Sequence, residues 1–393
     1  MNHLEALPPT ADVVVVGGGV VGAATAFHTA GAGLSTVILE ARGELAAATT
    51  AVATGGYRLQ FDTAAEVAAM RESLELLERF AEVTGQTAFD PALRRRGYLW
   101  VTSREDVAAH QRELVDRQRQ LGVDGVEVIA GEELRRRFPH LGAAALQARF
   151  RLGDGFLSPR QVTFGLAAGS GAGVLCNCRV TGLDVAGDRV RAVRTTRGGI
   201  SAGAVVIACG PLSGALAGLA GVQLPVTAVR RHKLVCPDLP AVPAEAPMTI
   251  DEDTGAHWRP YLRGAAMLWN DPATPPSPPD AEISVDPTFA EAVLDPAQPT
   301  AVARLTPLLA AAWRSGAPRW VEVGHYTMTP DHLPLVGATA VDGLLVNTGY
   351  CGHGVMMSAG TGRRLAAAVT GGPDPDDPFD PGRPMRTLTG SRI

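Results

Sequence analysis

Residues 11–45, ADVVVVGGGVVGAATAFHTAGAGLSTVILEARGEL, decide the fold of this chain. Val13–Val16 is short, apolar and β-branched, which suits a strand buried on both faces of a parallel sheet. It runs straight into Gly17, Gly19 and Gly22 in G-x-G-x-x-G spacing. In a β-α-β unit the first such glycine permits the tight turn, the second lets backbone approach a pyrophosphate, and the third lets helix pack on strand. A helix is predicted from about Val20 to Ala32, closed by Gly31 and Gly33, with its N-terminal amides facing the phosphates. Thr36–Leu39 reads as the second strand, and Glu40 falls at its end, where a carboxylate accepts hydrogen bonds from an adenosine ribose and disfavours a 2′-phosphate. Ala41 and Arg42 follow in the same turn and are placed with it. The stretch reads as a dinucleotide-binding unit of an α/β fold.

At 393 residues the chain exceeds a typical single core, so two domains are expected. Net charge is −5 with no block of Lys or Arg, which argues against nucleic-acid and anionic-membrane partners. The five cysteines are scattered, and the pair Cys176/Cys178 lacks a second pair or a histidine cluster, so it reads as core strand and no metal is expected. No apolar run approaches a membrane span and no signal-peptide pattern opens the chain, so a soluble, cytoplasmic protein is expected. Lys233 is the only lysine among 35 basic residues.

Beyond the first unit, Ala46–Gly56 is small, hydroxylated and glycine-rich, and places Thr49, Thr50, Gly55 and Gly56 near the cofactor; Tyr57–Phe61 then leads to a helix. Thr63 and Glu66 form a capping box for that helix, whose apolar stripe is Val67, Met70, Leu74, Leu77 and Phe80. Gly97–Thr102 alternates like a strand, and Arg104–Leu121 reads as a charged helix. Gly153–Ser158 (GDGFLS) precedes a further helix near Arg160–Ala168. Strands are predicted at Val174–Val185, Arg189–Thr195 and Ala204–Ala208, with Val180, Cys209 and Gly210 against the cofactor. Val222–Val323 carries proline-rich loops, a strand pair near Trp258–Tyr261 and Met267–Trp269, and a helix near Ala301–Arg314, and reads as a second, mainly β domain. From Gly371 onward the chain is rich in Pro and Asp without periodicity and reads as a loose surface tail.

The C-terminal block from Gly324 to Val369, GHYTMTPDHLPLVGATAVDGLLVNTGYCGHGVMMSAGTGRRLAAAV, is the second informative region. Its TPD-x-x-P…G-x-x-GHG pattern, together with the N-terminal fingerprint, resembles the D-amino-acid oxidase, glycine oxidase and sarcosine oxidase superfamily of flavoproteins. The TGGYRLQF segment at 54–61 is most similar to the glycine-rich stretch of sarcosine oxidase β-subunits and related amine dehydrogenases. That resemblance, covering nearly the whole chain, implies FAD and an α/β (α+β overall) architecture: a discontinuous Rossmann-like FAD-binding domain (8–85, 150–220, 324–371), an inserted, mainly β substrate domain (86–149, 221–323) and a tail (372–393). It implies oxidation of a C–N bond in an amine or amino acid, by hydride transfer to flavin and hydrolysis of the imine, with oxygen or an electron-accepting partner reoxidising the cofactor. The alternative it allows is a flavoprotein subunit of a multi-subunit amine dehydrogenase.

Physically, Gly349, Gly352 and Gly354 keep backbone bare enough to approach a flat ring, and the helix from about Val355 to Thr370 would aim its positive end at the flavin's pyrimidine edge. Cys351 and His353 lie in the same loop. By the resemblance Arg58 sits over the flavin, and His325, Tyr326 and His353 are the candidate titrating groups, with His353 expected to contact the flavin rather than serve as base. Relatives anchor the substrate carboxylate through basic residues where this chain has Met356 and Tyr326. Either Arg259, Arg263 or Arg58 takes over, since a guanidinium fork suits a carboxylate, or the substrate has no α-carboxylate. Trp258, Tyr261 and Trp269 are candidate pocket walls. The flavin-linking cysteine of monomeric sarcosine oxidases is matched by Gly324, so the FAD is expected to be non-covalent. Their oxygen-side lysine is matched by the uncharged Ala266–Trp269, with Lys233 on a different segment.

Overall fold

The computed structural model describes residues 1–279, 283–372, 374 and 376–388. Its centre is the parallel core that the valine run predicts. Thr10–Val16 pairs in parallel with Thr36–Leu39 on one side and with Gly198–Ile207 on the other. Gly173–Leu175 extends the sheet beyond Thr36–Leu39, and Leu344–Thr348 joins beyond Gly198–Ile207, bringing the C-terminal block back beside the N-terminal unit. Val13, Val14 and Val15 are fully buried, as a strand covered on both faces requires. The helices Val20–Gly31, Pro159–Ser170 and Gly354–Gly371 pack together on one face, where Gly362 meets the backbone of Ala24 so closely that a Cβ would lie 2.9 Å from its carbonyl.

An eight-stranded sheet forms the second layer, in the order 320–328, 227–236, 264–268, 257–261, 248–251, 98–102, 147–151, 126–130. All its pairings are antiparallel except Met248–Asp251 with Tyr98–Thr102. Alternation gives this sheet two unlike faces. Leu234, Trp258, Met267 and their neighbours bury one face beneath the Phe289–Leu294 and Ala310–Arg314 helices, while Leu99, Val101, Ala148 and Phe150 continue it. The other face, described below, carries charge and aromatic rings.

Four expectations change. Strands Gln147–Arg151 and Trp320–Met328 both belong to the second sheet, so boundaries at 150 and 324 fall inside strands. Ala301–Arg314 is not one helix: Pro307 keeps Thr306 out of the helical region (φ −128°), and two 3₁₀ turns precede the short helix Ala310–Arg314. The strand predicted over Val174–Val185 is two, Gly173–Leu175 and Val180–Ala186, separated where Asn177 takes a left-handed φ of 52°. The tail is not loose: Phe379 is fully buried, its carbonyl accepts from Val336 N–H at 2.8 Å, and Arg383 forks onto Asp331 at 2.9 and 3.0 Å. A single aromatic anchor has no period, so pattern reading passes over it. Among the described residues, no helix is long and apolar enough to cross a membrane.

Candidate active site

The dinucleotide end lies where Thr10–Val16, Thr36–Leu39 and Gly198–Ile207 stop together. Gly17 adopts φ 116°, and a Cβ on it would lie 2.6 Å from Ala208 O; on Gly22 a Cβ would meet Gly17 O at 1.9 Å. Both glycines are required by close backbone approach, as the fingerprint predicts. Helix Val20–Gly31 starts with no cap from its own N-cap residue, Gly19. Instead Val20 N–H donates to Thr50 Oγ1 at 3.2 Å, and a Cβ on Gly19 would face that hydroxyl at the same distance. Glu40 Oε2 accepts from Gly18 N–H at 2.7 Å and Oε1 from Arg42 N–H at 2.8 Å, so the carboxylate already braces the phosphate loop. Ala41 and Arg42 are exposed, with Arg42 Nη1 donating to Ala47 O at 2.8 Å. Cys178 N–H donates to Glu40 O, which brings Val180 to this edge, and Cys209–Gly210 continue from Ala208 against Gly17.

The second end of the site is built by the 349–355 turn. Gly349, Cys351 and Gly352 all have positive φ (77°, 51° and 98°), and a Cβ on Gly352 would lie 2.5 Å from the Tyr326 ring. Cys351 Sγ is tied to Thr329, whose N–H donates to it at 3.3 Å. His353 is the N-cap of Gly354–Gly371 and gives it no side-chain cap, so this helix presents its first amides and a partial positive charge. Val355 and Met356 are buried in the core beside Tyr57, Leu59 and Phe61. Two helix starts that get no cap from their own N-cap residues, each preceded by glycines pressed against backbone or ring, form the cradle a dinucleotide with a flat ring needs.

Arg58 connects the two layers. It is 6% exposed, its Nη2 lies 3.3 Å from His353 Nε2, and its guanidinium sits over Phe61 (4.5 Å), Trp100 (5.2 Å) and Tyr98 (5.9 Å). A guanidinium has only donors, so His353 Nε2 accepts and its proton sits on Nδ1: the ring is neutral. Asp154 supports this segment from beneath. Fully buried, it accepts from Leu59 N–H (2.9 Å), Gln60 Nε2 (3.0 Å) and Arg151 Nη1 (2.6 Å), while Gly56 and Tyr57 pair with Phe156 and Gly155.

Register places the second sheet's polar face opposite. Pairings Lys233–Leu268–His257–Ile250–Trp100 run across it as one row, and Val235–Ala266–Arg259 as the next. His257 and Arg259 are each 7% exposed. His257 Nδ1 lies 2.9 Å from Gly255 O and so donates, which leaves Nε2 as acceptor. Burial pushes its pKa down to about 4. Arg259 donates from Nε to Thr54 O (2.8 Å) and from Nη1 to Pro260 O (2.9 Å), and stacks on Phe156 and Tyr261. Burial pushes its pKa down to about 10. Lys233 pairs with Glu322 at 2.6 Å beside the Tyr261 ring.

The structure thus brings Arg58, His353, Tyr326, Arg259 and Tyr261 to facing surfaces. His325 lies elsewhere: alternation turns it from Tyr326, its Nε2 meets Ser277 Oγ at 3.0 Å, and its carbonyl accepts from Thr49 Oγ1 at 3.1 Å. Arg263 is excluded as an anchor, since it pairs with Asp238 at 2.7 Å on an exposed turn. Trp258 is no pocket wall; it points into the opposite core, with Nε1 donating to Thr306. Sequence reading missed His257 and Asp154. Period-2 counting back from Arg259 finds the first, and the acidic residue of the GDG turn is the only signal for the second.

The sequence profile of the family described as FAD dependent oxidoreductase (DAO) matches residues 12–368. Human mitochondrial sarcosine dehydrogenase is 28% identical over 396 residues, covering 94% of this chain and 41% of that protein. Mouse mitochondrial dimethylglycine dehydrogenase is 28% identical over 397 residues, covering 95% and 44%. The chain therefore spans less than half the length of these relatives. Among solved structures, L-proline dehydrogenase from P. horikoshii superposes with a TM-score of 0.82 at 23% identity, covering 95% of this chain and 98% of that one. Glycine oxidase from Geobacillus kaustophilus gives 0.81 at 23% identity, covering 96% and 100%. With the doubled glycine cradle, the profile match shows that the chain belongs to the family of FAD-dependent oxidoreductases.

Proposed function

We propose that this enzyme oxidises the C–N bond of an α-amino acid or N-substituted amino acid, with the substrate carboxylate on Arg259. The carrying observation is that Arg259 is a buried guanidinium for which the described residues provide no carboxylate, on an aromatic sheet face opposite Arg58 and His353. Gly17, Gly19, Gly22 and Glu40 would hold the adenosine and pyrophosphate, and the 349–355 turn with Arg58 the ring. When bound, FAD supplies the two-electron acceptor for hydride from the substrate α-carbon.

The chain's own residues orient the substrate and set its protonation. The α-ammonium of a free amino acid is protonated at neutral pH, and the Arg259 cation would lower its pKa toward the neutral amine that can release hydride. His257 Nε2 is an acceptor in a ring that stays neutral, and is suited to hold the amine N–H rather than to take its proton. His353 Nε2 is engaged by Arg58 and fixes that guanidinium.

Anaerobic mixing of holoenzyme with a panel of amines and amino acids, followed by flavin absorbance, tests the reading. Bleaching only by carboxylate-bearing amines is expected. In Arg259→Ala the apparent Kd should rise far more than the reduction rate at saturation falls, because an anchor used equally in ground and transition states contributes uniform binding. Normal binding by that variant would remove Arg259 from the site.

A further inference from the structure

Beside Arg259 a cleft of about 470 Å³ opens between the Ala51–Ala53 turn, the Phe156–Arg160 segment and the Tyr261–Leu262 hairpin. Its lining is one-sided in charge: Arg94, Arg96, Arg160, Lys233 and Arg259 against the single carboxylate Glu245. Three of these cations are compensated, Arg96 by Glu245, Arg160 by Glu44 at 3.1 Å and Lys233 by Glu322 at 2.6 Å. Among the described residues no carboxylate pairs with either Arg259 or Arg94. Arg259 lies at the buried end, and Arg94 is exposed at the mouth. Phe156 ties them together: its carbonyl accepts from Arg94 N–H at 2.8 Å, and its ring stacks under Arg259 at 4.7 Å.

The lip of the cleft is apolar. Leu262 is the first residue of the two-residue hairpin loop between Tyr261 and Gly264, where the turn calls for its left-handed φ of 56°, and its side chain is 65% exposed at the cleft. An apolar side chain at the edge of a cationic cleft fits the apolar middle of a ligand with anionic ends.

We propose that the substrate is an amine dicarboxylate, with one carboxylate on Arg259 and the second on Arg94 at the cleft mouth. This rests on the assignment of Arg259 as carboxylate anchor and adds the substrate class. A monocarboxylate would leave Arg94 to water, whereas a dicarboxylate gains a charge-assisted contact at a point where the protein supplies no anion.

The test is calorimetric titration of the oxidised holoenzyme with malonate, succinate, glutarate and adipate, each paired with the monocarboxylate of equal chain length. At least one dicarboxylate is expected to bind tenfold or more tighter than its partner and to compete with an oxidisable amino acid. Arg94→Ala should erase that advantage and leave monocarboxylate binding unchanged, while Arg94→Lys should retain most of it. The Arg94 side chain makes no hydrogen bond or ion pair among the described residues, so the fold is expected to tolerate both changes. Equal affinities across every pair, or an advantage that survives Arg94→Ala, would overturn the proposal. Failure of amine oxidation itself would show separately, as a flavin that no amino acid bleaches.

Discussion

Replacing Asp154 with Ala removes the acceptor for three donors at once: Leu59 N–H, Gln60 Nε2 and Arg151 Nη1. The Leu59 amide sits next to Arg58 in a buried segment, and a buried donor without an acceptor costs about 1–3 kcal/mol. Breaking a buried ion pair by deleting one partner costs about 3–5 kcal/mol, less here because Arg151 keeps its bond to Asp124 O and is partly exposed. Gln60 keeps Tyr98 O as a partner. The net loss is expected at about 3–5 kcal/mol for Asp154→Ala. Asp154→Asn preserves shape but turns one amide N–H₂ toward a donor, for about 1–3 kcal/mol.

The functional consequence follows from what Leu59 and Gln60 flank. Arg58 reaches His353 and the aromatic wall only if this segment keeps its position, and a displacement of about 1 Å in a positioning group can lower a rate about 100-fold. Asp154→Asn is therefore expected to slow anaerobic flavin reduction about 10- to 100-fold, with a smaller change in substrate Kd. In an Arg58→Ala background the same change should add little, since both act through one group. Denaturant unfolding of each holoenzyme separates stability from rate. Wild-type reduction kinetics in a measurably destabilised Asp154→Asn would confine Asp154 to holding the fold.

Four further outcomes are expected. Acid precipitation should leave a colourless pellet, because Gly324 offers no thiol and Cys351 Sγ is buried against Thr329; retained flavin would implicate Cys351. Glu40→Ala should weaken FAD retention by about 1–3 kcal/mol, the range for charge-assisted hydrogen bonds, and unchanged affinity would make Glu40 a brace for Gly18 and Arg42 alone. His257, neutral in the fold with its pKa pushed down to about 4, makes the unfolded chain bind an extra proton between about pH 6.5 and 4, as buried His28 and His140 also do, so His257 should contribute about 1.4 kcal/mol per pH unit to the loss of stability on acidification in that window; a His257→Gln variant with the same acid slope would refute this. Reoxidation by oxygen should be slow because Glu322 neutralises Lys233, the cross-strand partner of Leu268, and Arg259, the partner of Ala266, is turned to Thr54 O and Pro260 O; Glu322→Gln should speed it in stopped flow, and reoxidation of the wild type much faster than free reduced flavin would refute the reasoning.

The dinucleotide half of the site was legible because its chemistry is local: the valine strand, three glycines, a helix start and a carboxylate follow one another within residues 11–45. The same holds for the 349–355 turn, whose glycines show against an otherwise regular helix pattern. The substrate half was legible only in part. Arg259 and Tyr261 could be nominated by residue type, yet whether a side chain points into the site or the core depends on strand phase. Trp258, between His257 and Arg259, went to the wrong face in the sequence reading for that reason.

Register adds what phase cannot. Lys233 lies far in sequence from the Ala266–Trp269 segment. In the sheet, Lys233 is the direct cross-strand partner of Leu268, which in turn pairs with His257. One lysine thus lies on the same face as the candidate anchor Arg259, with Glu322 beside it to cancel its charge. The electrostatics of the site are set by which strands meet: among the described residues no carboxylate pairs with Arg259, while acids of the same fold pair with Lys233, Arg149 and Arg151. A buried guanidinium without a carboxylate favours an anion, and the same positive charge would lower the pKa of an amine held beside it, toward the uncharged form that oxidation requires.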